Sequence, residues 1–245
     1  MHPQSLAAAL AACFHICNPV ASSNRMEQFA KTRRRGARLN PIHLSAPPAR
    51  ASAPPVNSAL SLMRAFVHEP LKTGSVWPSS RALSRVVADC CDIKPGDLVV
   101  ELGPGSGSFT RPILKRLNGQ GRFLAVEINP AHVAILRHIW PRCDVIHDSA
   151  ENLPSHMHGR RADCIVSGLA WGNMLPRTQE RILQAMLKSL ALDGQFVAFG
   201  YVHAAWFPTT LRFRRRLLEC FDRVETTPIV WRNLPPAFVV SCRRA

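Results

Sequence analysis

Three glycines at alternate positions, Gly103, Gly105 and Gly107, follow a run of β-branched and acidic residues in VVELGPGSGSFTR, residues 99–111. A chain that turns tightly at a strand end, and lets a ligand approach its backbone, has no room there for a Cβ. The helical pattern FTRPILKRL comes next, and its first N–H groups face any polar or anionic group lodged at the turn. Glu101 stands two residues before Gly103, and Glu127 twenty residues after Gly107. The second spacing sets a carboxylate at the next strand end, beside a ribose diol.

The register is GxGxG. A dinucleotide fingerprint needs a third glycine where Ser108 stands, and the GK[ST] of a P-loop is absent. A ligand with a ribose, an adenine and a charged amino-acid tail but no pyrophosphate fits this pattern, which points to S-adenosylmethionine. A nicotinamide or flavin cofactor and a purely structural glycine turn are the competing readings. Glu101 either orients the methionine end of the ligand or is a solvent-facing strand acid. Asp148, Ser149 and Ala150 end a third strand, where an adenine edge would lie. Asp148 either meets that edge or caps the following turn.

The elements that must hold these residues follow from apolar periodicity. Strand patterns occur at 98–103, 122–128, 143–148, 162–168 and 195–201, with helical patterns FTRPILKRL, PAHVAILRHI and PRTQERILQAMLKSL between them. Such alternation predicts βαβ units and a mostly parallel sheet. A last helix, TTLRFRRRLLECF, precedes strands at 223–232 and 237–244, which are split by NLPP and expected to pair antiparallel at one edge. Ahead of the first strand, Leu60, Met63, Phe66 and Val67 recur at helical spacing, and Ser79 or Ser80 is placed to cap a second helix.

Residues 1–55 form a basic, Ala/Pro-rich extension containing KTRRRGAR, too poor in core residues to fold and expected to be disordered. Residues 56–245 form the folded domain, with a helical cap at its N-terminal end. The formal net charge of +15 predicts an acidic partner: nucleic acid, an anionic membrane surface or an acidic protein. Eight scattered cysteines offer no four-ligand zinc spacing and fit buried free thiols in a reducing compartment, so no metal is expected. LAAALAACFHIC, residues 6–17, has no basic residue ahead of it and contains His15, which argues against a secretory signal.

The blocks VVELGPGSGSFTR, VEINP, HDSAENL and VSGLAWGNM together resemble a class I S-adenosylmethionine-dependent methyltransferase. With FVHEPLKTGSVWPSSRAL upstream and FGYVHAAWFP and VWRNLPPAFV downstream, the chain is similar over residues 60–243 to the bacterial phospholipid N-methyltransferases. The resemblance implies an α/β Rossmann-like fold: a doubly wound, seven-stranded, mostly parallel sheet with an antiparallel C-terminal edge. It implies methylation of the amine head group of phosphatidylethanolamine or a related aminolipid. It gives cofactor roles to Glu101, Gly103, Gly105, Gly107 and Glu127, an adenine contact around Ser149 and Ala150, and an active-site edge at Ser167, Gly168 and Leu169. GSVWPSS would close over the cofactor, with Gly74, Ser75 and Ser79 near it. Ala170 stands where the related SGLP motif has proline, and Ser149 where many relatives carry aspartate.

A second resemblance is to the rRNA adenine dimethyltransferases, which share the ELGPGxGxxT turn but carry an NLPY-type motif where this chain has SGLA. An rRNA or small-molecule acceptor is therefore the alternative. For a protonated amine acceptor, Tyr201 and His203 past the fifth strand are the candidates to hold or deprotonate it. Trp77 and Trp171 are either an aromatic wall against an ammonium or packing residues. Arg212, Arg214, Arg215 and Arg216 form a cluster for lipid or RNA phosphates. The expected setting is cytoplasmic, at the inner face of the membrane.

Overall fold

The computed structural model describes residues 79–244. The first helical stripe (Leu60 to Val67), the GSVWP segment with Gly74, Ser75 and Trp77, and the basic extension lie outside the described residues. Seven strands form one sheet in the order β3-β2-β1-β4-β5-β7-β6. They are β1 (Leu98–Leu102), β2 (Arg122–Glu127), β3 (Asp144–His147), β4 (Ala162–Ser167), β5 (Leu190–Tyr201), β6 (Arg223–Thr226) and β7 (Ala237–Arg243). The first five are parallel, and β7 runs antiparallel between β5 and β6. The order reverses between β1 and β4, which opens a crevice at their C-terminal ends.

Alternation along the strands feeds two cores. Val99, Ala125, Val145, Val166 and Val197 face α1 (Arg81–Cys90), α2 (Thr110–Leu117) and α3 (Pro130–Ile139) through Leu83, Ile113 and Leu136. Val100, Leu102, Ile165, Phe196 and Ala198 face the short α4 (Leu153–His156), α5 (Pro176–Ser189) and α6 (Pro208–Cys220) through Leu153, Leu183, Met186 and Leu217. Burial on both faces explains the near-continuous apolar runs of β1, β2 and β4.

Two expected boundaries shift. Strand β5 begins at Leu190, because Leu190 already pairs with Ala162 before the register slips to Cys164–Gln195. The strand expected over 223–232 stops at Thr226, and beyond it only Val230 bridges to Ala237. Thr227, Pro228 and the NLPP turn thus belong to a loop, at the same end of the sheet as the ends of β1–β5.

Helix α1 is pinned at both ends by residues far along the chain. The Ser80 N–H donates to Asn233 Oδ1 at 2.8 Å, and the Asp92 N–H donates to Gln195 Oε1 at 2.9 Å. The Gln195 amide donates in turn to the Cys90 carbonyl and to Ser241 Oγ. The end of the GSVWPSS segment and the NLPP loop, separated by 153 residues, therefore meet at one hydrogen bond.

Candidate active site

Gly103, Gly105 and Gly107 all have positive φ, at 64°, 56° and 83°. Neighbouring side chains account for two of the three. A Cβ on Gly103 would sit 2.4 Å from Leu169 Cδ2, and one on Gly107 would sit 2.4 Å from the Trp140 ring. Those glycines admit side chains of the protein itself. Only Gly105 faces open space, its nearest neighbour being the His132 ring at 4.0 Å. Gly168 is closed differently, since a Cβ there would meet the Gly103 carbonyl oxygen at 2.3 Å. The β4 turn is thus seated directly on the glycine turn.

Glu101 lies in the column of core residues between β1 and α2 and is fully buried. Its Oε2 accepts from Thr110 Oγ1 at 2.6 Å, while Oε1 has no partner among the described residues. Burial pushes the carboxyl up to about 8, against the opposing effect of the Thr110 hydrogen bond. The alternative of a solvent-facing strand acid is therefore excluded.

Glu127 ends β2 in a contrasting environment. Its two oxygens accept from the Gly105 and Asn129 N–H groups, each at 2.9 Å, and His132 Nδ1 stands 3.8 Å away. Burial alone would raise this carboxyl. The His132 ring and the two backbone donors outweigh it and hold Glu127 below the ordinary carboxylate value. Asn129 caps α3 with Pro130 at its first position, which fixes the backbone around Glu127.

Asp148 is engaged locally. Its Oδ2 is 2.6 Å from His156 Nε2, and its Oδ1 accepts from the Ser149 N–H and from Asn152 Nδ2. The His156, Asn152 and Ser149 hydrogen bonds hold its carboxyl at about 2. Ser149 caps the following turn through the Glu151 N–H, and Ala150 is buried beneath it. At the end of β4, the buried Ser167 hydroxyl accepts from Trp171 Nε1 at 2.9 Å and from the Leu169 N–H at 3.3 Å.

For Trp171 the structure selects the packing reading. It is a core residue, stacked on Phe213 at 4.1 Å and edge-on to Phe196, so it is no open wall for an ammonium. Tyr201 stacks on the exposed His203 ring at 5.6 Å. Burial pushes the Tyr201 phenol up to about 12, so near neutral pH it can hold an amine but cannot take its proton. The arginine cluster is divided around α6. Arg216 bridges Glu180 and Glu219, Arg215 approaches Glu219, and Arg212 is exposed. Ser79 is half-buried just ahead of α1, whose cap is Ser80.

His132 and Trp140 are site residues that motif spacing does not reveal, since neither sits at a fixed offset from the glycines. Thr110 closes the ELGPGxGxxT turn itself, and Leu169 follows the β4 motif. A cavity of about 50 Å³ lies under the β4–β5 end, lined by Trp171, Tyr201, Thr210, Phe213, Arg214 and Phe238. It falls far short of the ~300 Å³ at the lower end of ligand pockets, so an acceptor must approach from the open mouth.

A glycine turn at a switch point, a hydrogen-bonded carboxylate at the second strand end and a buried carboxyl under the turn define an α/β enzyme with a nucleoside-type cofactor. Residues 99–194 match the family model described as a methyltransferase domain. The chain is 31% identical over 175 residues to the ornithine lipid N-methyltransferase of Singulisphaera acidiphila, spanning 69% of this chain and 87% of that protein. It is 28% identical over 144 residues to ribosomal RNA large subunit methyltransferase E of Acinetobacter baumannii, spanning 55% and 64%. Among solved structures, a SAM-dependent O-methyltransferase from Thermotoga maritima superposes with a TM-score of 0.51 at 15% identity, over 74% of this chain and 71% of that one. TrmN from Thermus thermophilus superposes with a TM-score of 0.53 at 15% identity, over 67% and 49%. The chain belongs to the class I S-adenosylmethionine-dependent methyltransferases. It is an enzyme of methyl transfer, and its cofactor is S-adenosylmethionine.

Proposed function

We propose that the protein transfers methyl groups from S-adenosylmethionine to the amine head group of a phospholipid such as phosphatidylethanolamine, or of a related aminolipid. The observation that carries this reading is the likeness to the ornithine lipid N-methyltransferase, which spans 87% of that relative. It is supported by an open, aromatic acceptor side at the ends of β4 and β5.

The residues present fit the cofactor. Gly105 leaves space beside the turn, Glu127 offers acceptors to the ribose diol, and the orphan Oε1 of Glu101 awaits a donor such as the ammonium of the amino-acid tail. Gly103 and Gly107 shape the turn, the Ser149–Ala150 backbone borders the adenine position, and Ser167 fixes the β4 turn that faces the acceptor. Ser79 stands just ahead of α1, at the edge of the described residues. The cofactor brings an activated methyl group, so the protein's task is to bind, align and exclude water. An acceptor amine must lose a proton before attack. Tyr201 holds the amine as a hydrogen-bond partner, and the exposed His203 passes its proton to solvent. Among the described residues no helix is long and apolar enough to cross a membrane, so contact with lipid is made from the surface.

The rRNA reading draws support from the ribosomal RNA methyltransferases among the relatives. One experiment separates the two: transfer from labelled S-adenosylmethionine offered a lipid extract and an RNA pool in parallel. Label is expected in aminolipid, and label confined to RNA overturns the proposal.

A further inference from the structure

The first turns of α5 and α6 break a local rule. Ser80 caps α1 and Asn129 caps α3 with side-chain hydrogen bonds, as helix starts favour. The corresponding positions of α5 and α6 hold Leu175 and Phe207, which make no capping bond. Phe109, at the start of α2, is also apolar, but it is buried in the core. Leu175 is 75% exposed and Phe207 43%. Leu175 leaves its cap unmade with its side chain in solvent, and Phe207 meets only the edge of the His203 ring with much of its surface exposed; such local conflicts mark functional positions.

These two residues are part of a larger surface. The Gln179 amide donates to the carbonyls of Trp171 and Thr209, lacing the start of α5 to that of α6. The Val202 N–H donates to the Pro236 carbonyl, joining the β5 end to the β6–β7 loop. On these joined loops, Leu175, Trp206, Phe207, Trp231 and Leu234 are all exposed, Leu234 to 73%. They encircle the mouth at Tyr201 and His203.

The charge around them has one sign. Residues 168–179, 201–218 and 226–240 contain no Asp or Glu, while Arg177, Arg212 and Arg232 are exposed among them. The acids just beyond these segments are occupied: Glu180 and Glu219 by Arg216, and Glu225 by Arg223. The opposite end of the sheet carries Asp92, Asp97, Asp144, Asp163, Asp193 and Asp222.

We propose that this rim docks on the surface of an anionic lipid bilayer, with Leu175, Phe207, Trp206, Trp231 and Leu234 entering the interface and the arginines meeting phosphates. Tryptophan favours the headgroup level, and aliphatic tips gain from the acyl boundary. Single-stranded RNA would reward aromatics and arginines but not exposed leucines, since bases stack on rings. The inference rests on the lipid-amine reading above: it presents the mouth at the depth where a lipid amine lies.

The test uses the full chain carrying Leu175→Ser and Phe207→Ser together, with sedimentation on phosphatidylglycerol–phosphatidylcholine vesicles at physiological ionic strength. Partitioning is expected to fall about tenfold or more. Serine is the better cap, so Tm should stay level or rise, and S-adenosylmethionine affinity should not change. Vesicle binding within twofold of the parent overturns the rim, as does a fall in Tm that assigns the two side chains to the fold. Loss of single-stranded RNA binding with vesicle binding intact overturns it in favour of RNA. Methyl transfer by the parent to aminolipid in detergent micelles is measured alongside. Transfer there, with undiminished vesicle binding by the variant, discards the rim and keeps the acceptor. No transfer, with vesicle binding that depends on the rim, discards the acceptor and keeps the rim.

Discussion

The two halves of the crevice solve different problems. On the β1–β3 side, carboxylates are set by hydrogen bonds and burial: Glu127 held ionised by two N–H groups and His132, Glu101 held protonated by burial, Asp148 locked to His156. On the β4–β7 side, acids are absent from the loops at the mouth, the Tyr201 phenol is held neutral, and apolar side chains stand in solvent. A cofactor of fixed shape calls for fixed donors and acceptors. A proposed acceptor anchored in a bilayer needs an open mouth and a surface that brings it to the bilayer.

The contrast breaks first at Glu127. Glu127→Ala is expected to weaken S-adenosylmethionine binding about 100-fold, because hydrogen bonds to a charged group contribute ~1.5–3 kcal/mol each. Calorimetric titration measures it, and vesicle partitioning should stay unchanged. Next comes the seam between the halves. Gly168→Ala forces a Cβ against the Gly103 carbonyl and should cost about 1–3 kcal/mol in denaturant unfolding, an overpacking penalty with backbone as the obstacle. Ser167→Ala leaves the Trp171 indole N–H without its acceptor and should cost ~1–3 kcal/mol on the acceptor side, with cofactor affinity little changed.

The effect of Glu101 is pH-dependent. Its carboxyl titrates at about 8 in the ligand-free fold against an ordinary 4.5. The folded state holds the proton more tightly, so the contribution is complete below 4.5 and is lost as pH rises toward about 8. Tm of the ligand-free protein should fall through that window, and Glu101→Gln should flatten the fall. If Glu101 meets the cofactor's ammonium, binding releases a proton there, which calorimetry in buffers of different ionisation heat detects. Smallest is Gly105→Ala, which has space but a positive φ and should cost about 1–2 kcal/mol of stability. A cost at Gly105 as large as at Gly168 would show that the turn is not open on the ligand side.

The helices of the βα units were legible because apolar periodicity and capping residues are local. PAHVAILRHI, preceded by Asn129 and opened by Pro130, matches α3 end to end. The early start of β5 was not legible, since LDGQ carries turn residues and only pairing with Ala162 extends the strand through them. The sequence leaves Trp171 open between an aromatic wall and a packing role, because an indole beside a glycine motif gives no local sign of whether it faces solvent or Phe213. The glycines were found for an incomplete reason. The chain cannot announce that Leu169 and Trp140, 66 and 33 residues downstream of the glycines they cover, occupy the places of two missing Cβ atoms.

By itself the sequence determined the fold class, the cofactor and the acids at the first two strand ends. All three rest on short-range spacing, in which a glycine turn and a strand period fix positions within a few residues. Only the tertiary structure decided which glycine is left uncovered by protein side chains, why Glu101 keeps its proton, and that exposed apolar residues of three distant segments stand at one end of the sheet. Burial, and the surface left over after burial, are properties of the packed chain, because neighbours far apart in sequence displace the water.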